Sequence, residues 1–268
     1  MVANPHGRRI PIGRQARRFF VLPLLILVFA ALTLQAQAPA DLTVSAAASL
    51  KDVLDQIASA FKEEQPRIAL HFNLGASGSL QQQIEQGAPV DVFLSASPSQ
   101  MDALASEGLL LQGTRRDLLR NSIVLITPAG DKTITGFPDL ARPQVRFIAI
   151  GEPQTVPAGA YAKEVLARLH LYEALQPKFV FARDVRQVLT YVATGNADAG
   201  IVYKTDAITT SQVRIVAVAP DDLHSPVIYP VAILRASHNT AAAKVFCAFL
   251  SSSKAQQIFQ KYGFSPVR

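Results

Sequence analysis

Four short turns of small or hydroxylated residues run straight into segments with helical periodicity, an arrangement that can bind an anion. The first N–H groups of a helix lack internal partners and carry the positive end of the helix dipole. Amides and hydroxyls alone can therefore hold a small oxyanion there, and the sequence predicts a receptor for a small inorganic anion. The turns are Ala48-Ser49, Ala76-Ser77-Gly78, Val156-Pro157-Ala158-Gly159 and Arg183-Asp184-Val185.

The four turns supply different donors. Ser49 and Ser77 each bring a hydroxyl beside backbone N–H groups, although capping of the following helix also explains Ser49. Ala158 lies between Pro and Gly and can expose its amide at a helix start. Asp184 is expected to cap its own helix, which leaves the amide of Val185 pointing outward.

A fifth donor is predicted at the end of the strand Ala-Gly-Ile-Val-Tyr, where the phenol of Tyr203 can reach the ligand. Packing is the alternative role for this ring. Arg183, which precedes the capping Asp184, is the one cation within the four turns. Neutral donors favour a fully deprotonated dianion and do not make affinity depend on a salt bridge.

The elements that position these turns alternate between short apolar runs and amphipathic helical segments, which predicts an α/β protein with mostly parallel sheets. Ligands of such sheets bind beyond the carboxyl ends of the strands, where the turns lie. The candidate strands are Leu42–Ser45, Ile68–Phe72, Val90–Ser95, Ile123–Thr127, Arg146–Ile150, Lys178–Phe181, Ala199–Val202, Val213–Val218 and Tyr229–Leu234.

Two lobes are predicted, with hinges at the strands Ile123–Thr127 and Tyr229–Leu234. The first lobe is expected to comprise residues 41–122 and 229–268, and the second residues 123–228. A ligand cleft between the lobes follows from this division.

The first 40 residues have the layout of an export signal: an arginine-rich start, the apolar run Phe19–Leu34, and small residues up to Ala40. Cleavage is expected near Ala38 or Ala40, by either the general or the twin-arginine export route. A single membrane anchor is the alternative. With one cysteine, Cys247, in an apolar helical stretch, the chain has no disulfide framework, and a soluble periplasmic protein is expected.

The formal charge of +6 comes mostly from this leader. Removing its five arginines from the 26 basic residues leaves 21 against 20 acidic ones. The remaining chain therefore does not predict binding to nucleic acid.

Five motifs carry a specific resemblance: Ala46-Ala47-Ala48-Ser49-Leu50, Gly87-Ala88-Pro89-Val90-Asp91-Val92-Phe93-Leu94-Ser95-Ala96, Val156-Pro157-Ala158-Gly159-x-Tyr161-Ala162-Lys163-Glu164, Gly200-Ile201-Val202-Tyr203 and Lys261-Tyr262-Gly263-Phe264. Together they closely resemble the periplasmic molybdate-binding proteins of ABC transporters, over essentially the whole mature chain. The resemblance implies a two-lobed, type II-like periplasmic binding protein that binds molybdate, and tungstate as well, and delivers it to a membrane permease with a cytoplasmic ATPase.

The resemblance also implies the ligand residues. These are the hydroxyls and amides of Ser49 and Ser77 from one lobe, the amides of Ala158 and Val185 from the other, and the hydroxyl of Tyr203. It implies a monomer with no cofactor and no catalysis, in which molybdenum is held only as the bound oxyanion. One departure is Gly78, where family members often have a further serine.

Three alternatives remain at this point. A receptor for sulfate, phosphate or another oxyanion has the same kind of turns, although the proton of phosphate needs an acceptor. An enzyme with Ser77 as nucleophile lacks the Gly-x-Ser-x-Gly spacing and a histidine next to a turn. A sensor that presents its closed form to a partner uses the same lobe closure.

Overall fold

The structure is a computed structural model of the chain, and it describes residues 39–267. The predicted signal peptide, residues 1–40, lies outside the described residues apart from Pro39 and Ala40. Within the described part, no helix combines the length and the apolar character needed to cross a membrane.

Eleven strands in the described residues form two separate sheets. The first sheet has the order β11-β4-β10-β3-β1-β2 and the second β7-β6-β8-β5-β9. The strands are β1 (Ala40–Ala47), β2 (Ile68–Gly75), β3 (Val92–Leu94), β4 (Arg116–Arg120), β5 (Ile123–Pro128), β6 (Ile148–Gly151), β7 (Phe179–Ala182), β8 (Ala199–Tyr203), β9 (Val213–Val218), β10 (Ile228–Ile233) and β11 (Ser265–Pro266).

The prediction of mostly parallel sheets is wrong. β1 is parallel to β2 and β3, and β6 to β7 and β8, but β5 and β10 run antiparallel to both of their neighbours. Each of these two strands is the first strand of its sheet after the chain has crossed over from the other sheet. They do not follow the strand–helix–strand crossover that makes neighbouring strands parallel.

The helices cover the sheet faces with their apolar sides, as their periodicity predicts. In α1, for example, Leu54, Ile57 and Phe61 are fully buried. The helices are α1 (Lys51–Glu64), α2 (Ser77–Glu85), α3 (Pro98–Ser106), α4 (Pro157–Arg168), α5 (Tyr172–Leu175), α6 (Val185–Ala193), α7 (Lys204–Ala207), α8 (Thr240–Leu250) and α9 (Ser253–Lys261).

Cys247 lies in α8 as a buried side chain, and burial raises the pKa of its thiol to about 12. The thiol therefore stays protonated near neutral pH. This agrees with the expected role of a small apolar residue in the core.

The chain crosses between the two sheets twice, and each sheet forms the centre of one lobe. Asn121 and Ser122 join β4 to β5, and residues 219–227 join β9 to β10. The predicted hinge strands, β5 and β10, are paired on both sides within their sheets, and their role as hinges stays a prediction. The lobe boundaries at residues 122 and 229 stay a prediction, with β10 beginning at Ile228.

Candidate functional site

The structure brings all five predicted ligand residues together around one cavity between the lobes. They are Ser49, Ser77, Ala158, Val185 and Tyr203. Ser49 lies in a 3-10 turn after β1, Ser77 begins α2, Ala158 is the second residue of α4, Val185 begins α6 and Tyr203 ends β8. The turns that follow parallel strands of both sheets therefore face each other across the cleft.

The cavity is small and lined by buried residues. Its volume is about 10 Å³, and all five predicted ligand residues are buried. None of the described residues that line it is a lysine, an arginine or a histidine. Asp184 contributes the one carboxyl group among these lining residues, and the others are neutral. The small space favours a compact solute over an extended organic ligand.

Ser49 does not cap a helix, so the capping explanation for this residue is wrong. No side chain caps α1 or the 3-10 turn before it. The Ser49 hydroxyl is instead 3.0 Å from the hydroxyl of Tyr229, to which the Asn121 side chain also donates at 3.2 Å. Sequence reasoning did not single out Tyr229 or Asn121, because they are distant from Ser49 along the chain.

The Ser77 hydroxyl accepts a hydrogen bond from the backbone N–H of Ala96, at 2.9 Å. Ala76 occupies the capping position of α2 without a side-chain bond, so the serine is not used as a cap. Since the oxygen of Ser77 is already an acceptor, its own proton is available to donate into the cavity.

Tyr203 reaches from the second lobe to the first, where its hydroxyl donates to the carbonyl oxygen of Ala96 at 3.4 Å. Its ring is 1% exposed and stands edge to face against Tyr229, with centroids 5.6 Å apart. Burial raises the pKa of Tyr203 well above the usual phenol value. The phenol therefore keeps its proton, which in this structure is directed at the Ala96 carbonyl oxygen.

The capping prediction for Asp184 is confirmed. Its carboxylate accepts from the backbone N–H of Gln187 at 2.9 Å, at the start of α6. The amide of Val185 lies in the same first turn, where a helix provides no acceptor of its own. The carboxylate thus fixes the helix start, and Val185 in that turn lines the cavity.

The start of α4 lies against the end of β6 with no room for a side chain. A Cβ at Gly159 would be 2.0 Å from the carbonyl oxygen of Gly151. The glycine lets the helix start approach the sheet end closely, and its neighbour Ala158 lines the cavity.

Gly78, the departure noted in the sequence, makes a backbone contact across the cleft. Its N–H donates to the carbonyl oxygen of Thr155 in the second lobe, at 2.9 Å. A Cβ at this position would lie 2.6 Å from the same oxygen. Any larger residue here therefore opposes this closed arrangement of the lobes.

A charged group behind the cavity was also missed by sequence reasoning. Arg186 contacts the carboxylates of Asp52 and Asp206, at 2.5 and 2.7 Å. The sequence contained one sign of this cluster. An arginine in the first turn of a helix is unfavourable to the helix dipole, so its presence there indicates a nearby negatively charged partner.

The site offers no histidine to a catalytic serine. His71 pairs with Asp41 and His224 bonds to the Ser225 carbonyl, and neither lines the cavity. Within residues 39–267, no group of three or more His, Cys, Asp or Glu residues is placed to hold a metal ion.

Comparison with known proteins agrees with this architecture. A family model described as "Bacterial extracellular solute-binding protein" matches residues 42–265. The molybdate-binding protein of Azotobacter vinelandii, a periplasmic protein of known structure, superposes with a TM-score of 0.77, at 27% identity over 85% of this chain and 100% of the other. The two-lobed fold with its cavity between the lobes is that of a periplasmic binding protein.

Two curated relatives narrow the assignment. A candidate ABC transporter substrate-binding lipoprotein of Bacillus subtilis, YvgL, is 44% identical over 84% of this chain and 86% of its own. The molybdate-binding protein ModA of Haemophilus influenzae is 38% identical over 89% of this chain and 95% of its own. The chain belongs to the ModA family of bacterial extracellular solute-binding proteins.

Proposed function

We propose that this protein binds molybdate, and tungstate as well, in the cavity between its lobes and delivers it to an ABC permease with a cytoplasmic ATPase. The observation that carries the proposal is the convergence of five residues with neutral hydrogen-bond donors on one small cavity. The ligand residues are the hydroxyls and amides of Ser49 and Ser77, the amides of Ala158 and Val185, and the Tyr203 hydroxyl.

The kind of donor supports a fully deprotonated anion. Hydroxyls and helix-start amides donate hydrogen bonds and offer little to a ligand that must itself donate one. Phosphate carries a proton near neutral pH, and the Asp184 carboxylate, which lines the cavity, is occupied by capping α6. Phosphate is therefore disfavoured.

Sulfate is the alternative ligand, because it shares the charge and tetrahedral shape of molybdate. The two anions differ in bond length, so discrimination must come from the size of the ring of donors. That ring is attached to backbone held by close packing, such as the contact of Gly159 with Gly151. Donors fixed in this way cannot follow a smaller anion inward without losing part of their hydrogen bonds.

The proposal includes an exported, periplasmic protein whose leader is cleaved near Ala38 or Ala40, acting as a monomer and not as an enzyme. Family membership and the names of the curated relatives support transport. The absence of a histidine among the lining residues speaks against hydrolysis by Ser77.

Calorimetric titration of the purified protein with molybdate, tungstate, sulfate and phosphate in one buffer tests the proposal. We expect tight one-to-one binding of the first two and no heat from the others. Tight binding of sulfate, with molybdate silent, would keep the architecture and overturn the ligand. Phosphate competing at the concentration of molybdate would contradict the argument from neutral donors.

A further inference from the structure

Three charged residues follow three of the ligand residues closely along the chain and meet at one point of the structure. Each is attached to a different segment of the candidate site. The pairs are Asp52 three residues after Ser49, Arg186 directly after Val185, and Asp206 three residues after Tyr203.

One guanidinium contacts both carboxylates. Nη2 of Arg186 lies 2.5 Å from Oδ2 of Asp52, and Nε of Arg186 lies 2.7 Å from Oδ1 of Asp206. Both contacts are ion pairs between a guanidinium and a carboxylate. The Asp206 side chain is fully buried, whereas that of Asp52 is 38% exposed.

The pair of Arg186 with Asp52 crosses the cleft. Asp52 lies in the first turn of α1 in the first lobe, while Arg186 and Asp206 lie in α6 and α7 of the second lobe. Opening of the cleft separates Arg186 from Asp52 but leaves it paired with Asp206. The pair with Asp206 thus holds the guanidinium within the second lobe, at a position where it contacts Asp52 when the lobes close.

An arginine suits this position for two reasons. Its planar fork of donors can serve two carboxylates at once, which the single ammonium of lysine does less well. Its charge at the start of α6 is unfavourable to the helix dipole, and the two carboxylates offset that cost. Arg186 does not line the cavity, so it is not placed to contact the anion itself.

We propose that Arg186 is a positioning residue that clasps Asp52 across the cleft, stabilises the closed lobes and aligns the ligand segments on both sides. The inference rests on the proposed function and deepens it, since neutral groups hold the anion while this charged clasp retains it. A contact made only in the closed form raises affinity for any ligand that needs that form.

The clasp should act on release of the anion. Removing it favours the open form, so the complex opens and loses its ligand sooner, whereas association with the open form is little changed. For Asp52→Asn we expect molybdate to dissociate about five to ten times faster, in line with a partly buried, charge-assisted contact. The ligand-free protein, in which an open cleft already separates the pair, should keep its melting temperature.

The test measures dissociation of molybdate by stopped flow, its affinity by calorimetry, and the melting temperature without ligand. Asp55→Asn is the matched control, because Asp55 lies on the same helix and pairs with Lys51 inside the first lobe at 2.9 Å. Its dissociation rate should equal that of the wild type.

A second variant keeps the proposal testable from the other side of the cleft. Arg186→Gln alone leaves the buried Asp206 without a cation and can fail to fold, so it is combined with Asp206→Asn. This double variant loses the same contact with Asp52 and should show a similar acceleration. Adding Asp52→Asn to it should then change the rate little further, because the contact is already absent.

Unchanged dissociation in Asp52→Asn, or a lower melting temperature without any kinetic change, would overturn the clasp. If the wild type binds sulfate and not molybdate, the proposed ligand fails. The same variants titrated with sulfate then decide the clasp separately. A wild type that binds neither anion would overturn both proposals.

Discussion

The cavity and the charged cluster behind it are close neighbours along the chain, yet they are built from opposite chemistry. Five neutral donors line the cavity, with no lysine or arginine among the described lining residues. One residue beyond Val185, Arg186 contacts two carboxylates, one of them in the other lobe. We propose that this difference separates recognition of the anion, by geometry and hydrogen bonds, from retention of the closed form, by charge.

This separation has a physical advantage. A cation inside the cavity would attract sulfate, phosphate and molybdate alike, because Coulomb attraction depends on charge and hardly on shape. Hydrogen bonds from fixed groups depend steeply on distance and direction, so they can discriminate between anions of equal charge. The cations are better used outside the ligand shell.

The largest predicted effect concerns the charged cluster and pH. Burial, opposed by Arg186 and reinforced by the charges of Asp52 and Asp184, raises the pKa of Asp206 to about 7. The folded state therefore binds a proton more tightly than the unfolded state, and this contribution to stability is full below about pH 4 and lost as the pH rises through about 7. A shift of about three pKa units corresponds to about 4 kcal/mol.

Replacement by Asp206→Asn removes that contribution. Urea unfolding at a series of pH values should show the wild type losing up to about 4 kcal/mol relative to the variant between about pH 4 and pH 8. The control Asp102→Asn removes a carboxylate that is 60% exposed and pairs with Arg115 at the surface. If the free energy of unfolding of the wild type and of Asp206→Asn changed with pH in the same way, the raised pKa of Asp206 would be contradicted.

The next effect concerns the neutral donors. Ser49→Ala or Ser77→Ala each removes one hydrogen bond to a charged ligand, and we expect molybdate affinity to fall by about 1.5–3 kcal/mol. Calorimetry measures this, with Ser59→Ala on the exposed face of α1 as the control. Full affinity in both cavity variants would remove the serines from the site.

Gly78 tests the fit of the lobes. Gly78→Ala places a Cβ 2.6 Å from the Thr155 carbonyl oxygen in the closed form. We expect molybdate affinity to fall by about 1–2 kcal/mol through overpacking across the cleft, with unchanged stability of the ligand-free protein. Gly130→Ala, whose Cβ meets nothing within 4 Å, is the control. Undiminished affinity in Gly78→Ala would mean that this contact is not needed for closure.

The smallest effect concerns the helix start that presents Val185. Asp184→Ala removes a helix cap and should lower the free energy of unfolding by about 1 kcal/mol, with a weaker affinity for molybdate. The cap Ser252→Ala on α9, which accepts from the Ala255 amide at 3.2 Å, should cost similar stability and no affinity. Equal affinities in the two variants would show that the Asp184 cap does not position the amide.

The sequence predicts what depends on neighbours in the chain and misses what depends on distant partners. The cap at Asp184 was predictable because its acceptor and donor lie in one helical turn. The role of the Ser49 hydroxyl was not, because Tyr229 lies 180 residues away and replaces the local cap. The contacts of Arg186 likewise join three distant segments.

The same reasoning explains the errors in the fold. The sequence analysis missed the strand β4. Its apolar run consists only of Leu118 and Leu119 between charged residues, which is too short to show the alternation typical of a strand. The reversed directions of β5 and β10 depend on how the chain enters each sheet from the other lobe, and neither residue type nor spacing records that.

A crystal structure with molybdate, using the anomalous scattering of molybdenum, tests the central claim most directly. The account predicts one anomalous peak in the cavity, with Ser49, Ser77, Ala158, Val185 and Tyr203 within hydrogen-bond distance of the oxygens. It also predicts that Arg186 contacts Asp52 and not the anion. A peak elsewhere, or an oxygen bound directly by a lysine or arginine side chain, would contradict the separation of recognition from charge.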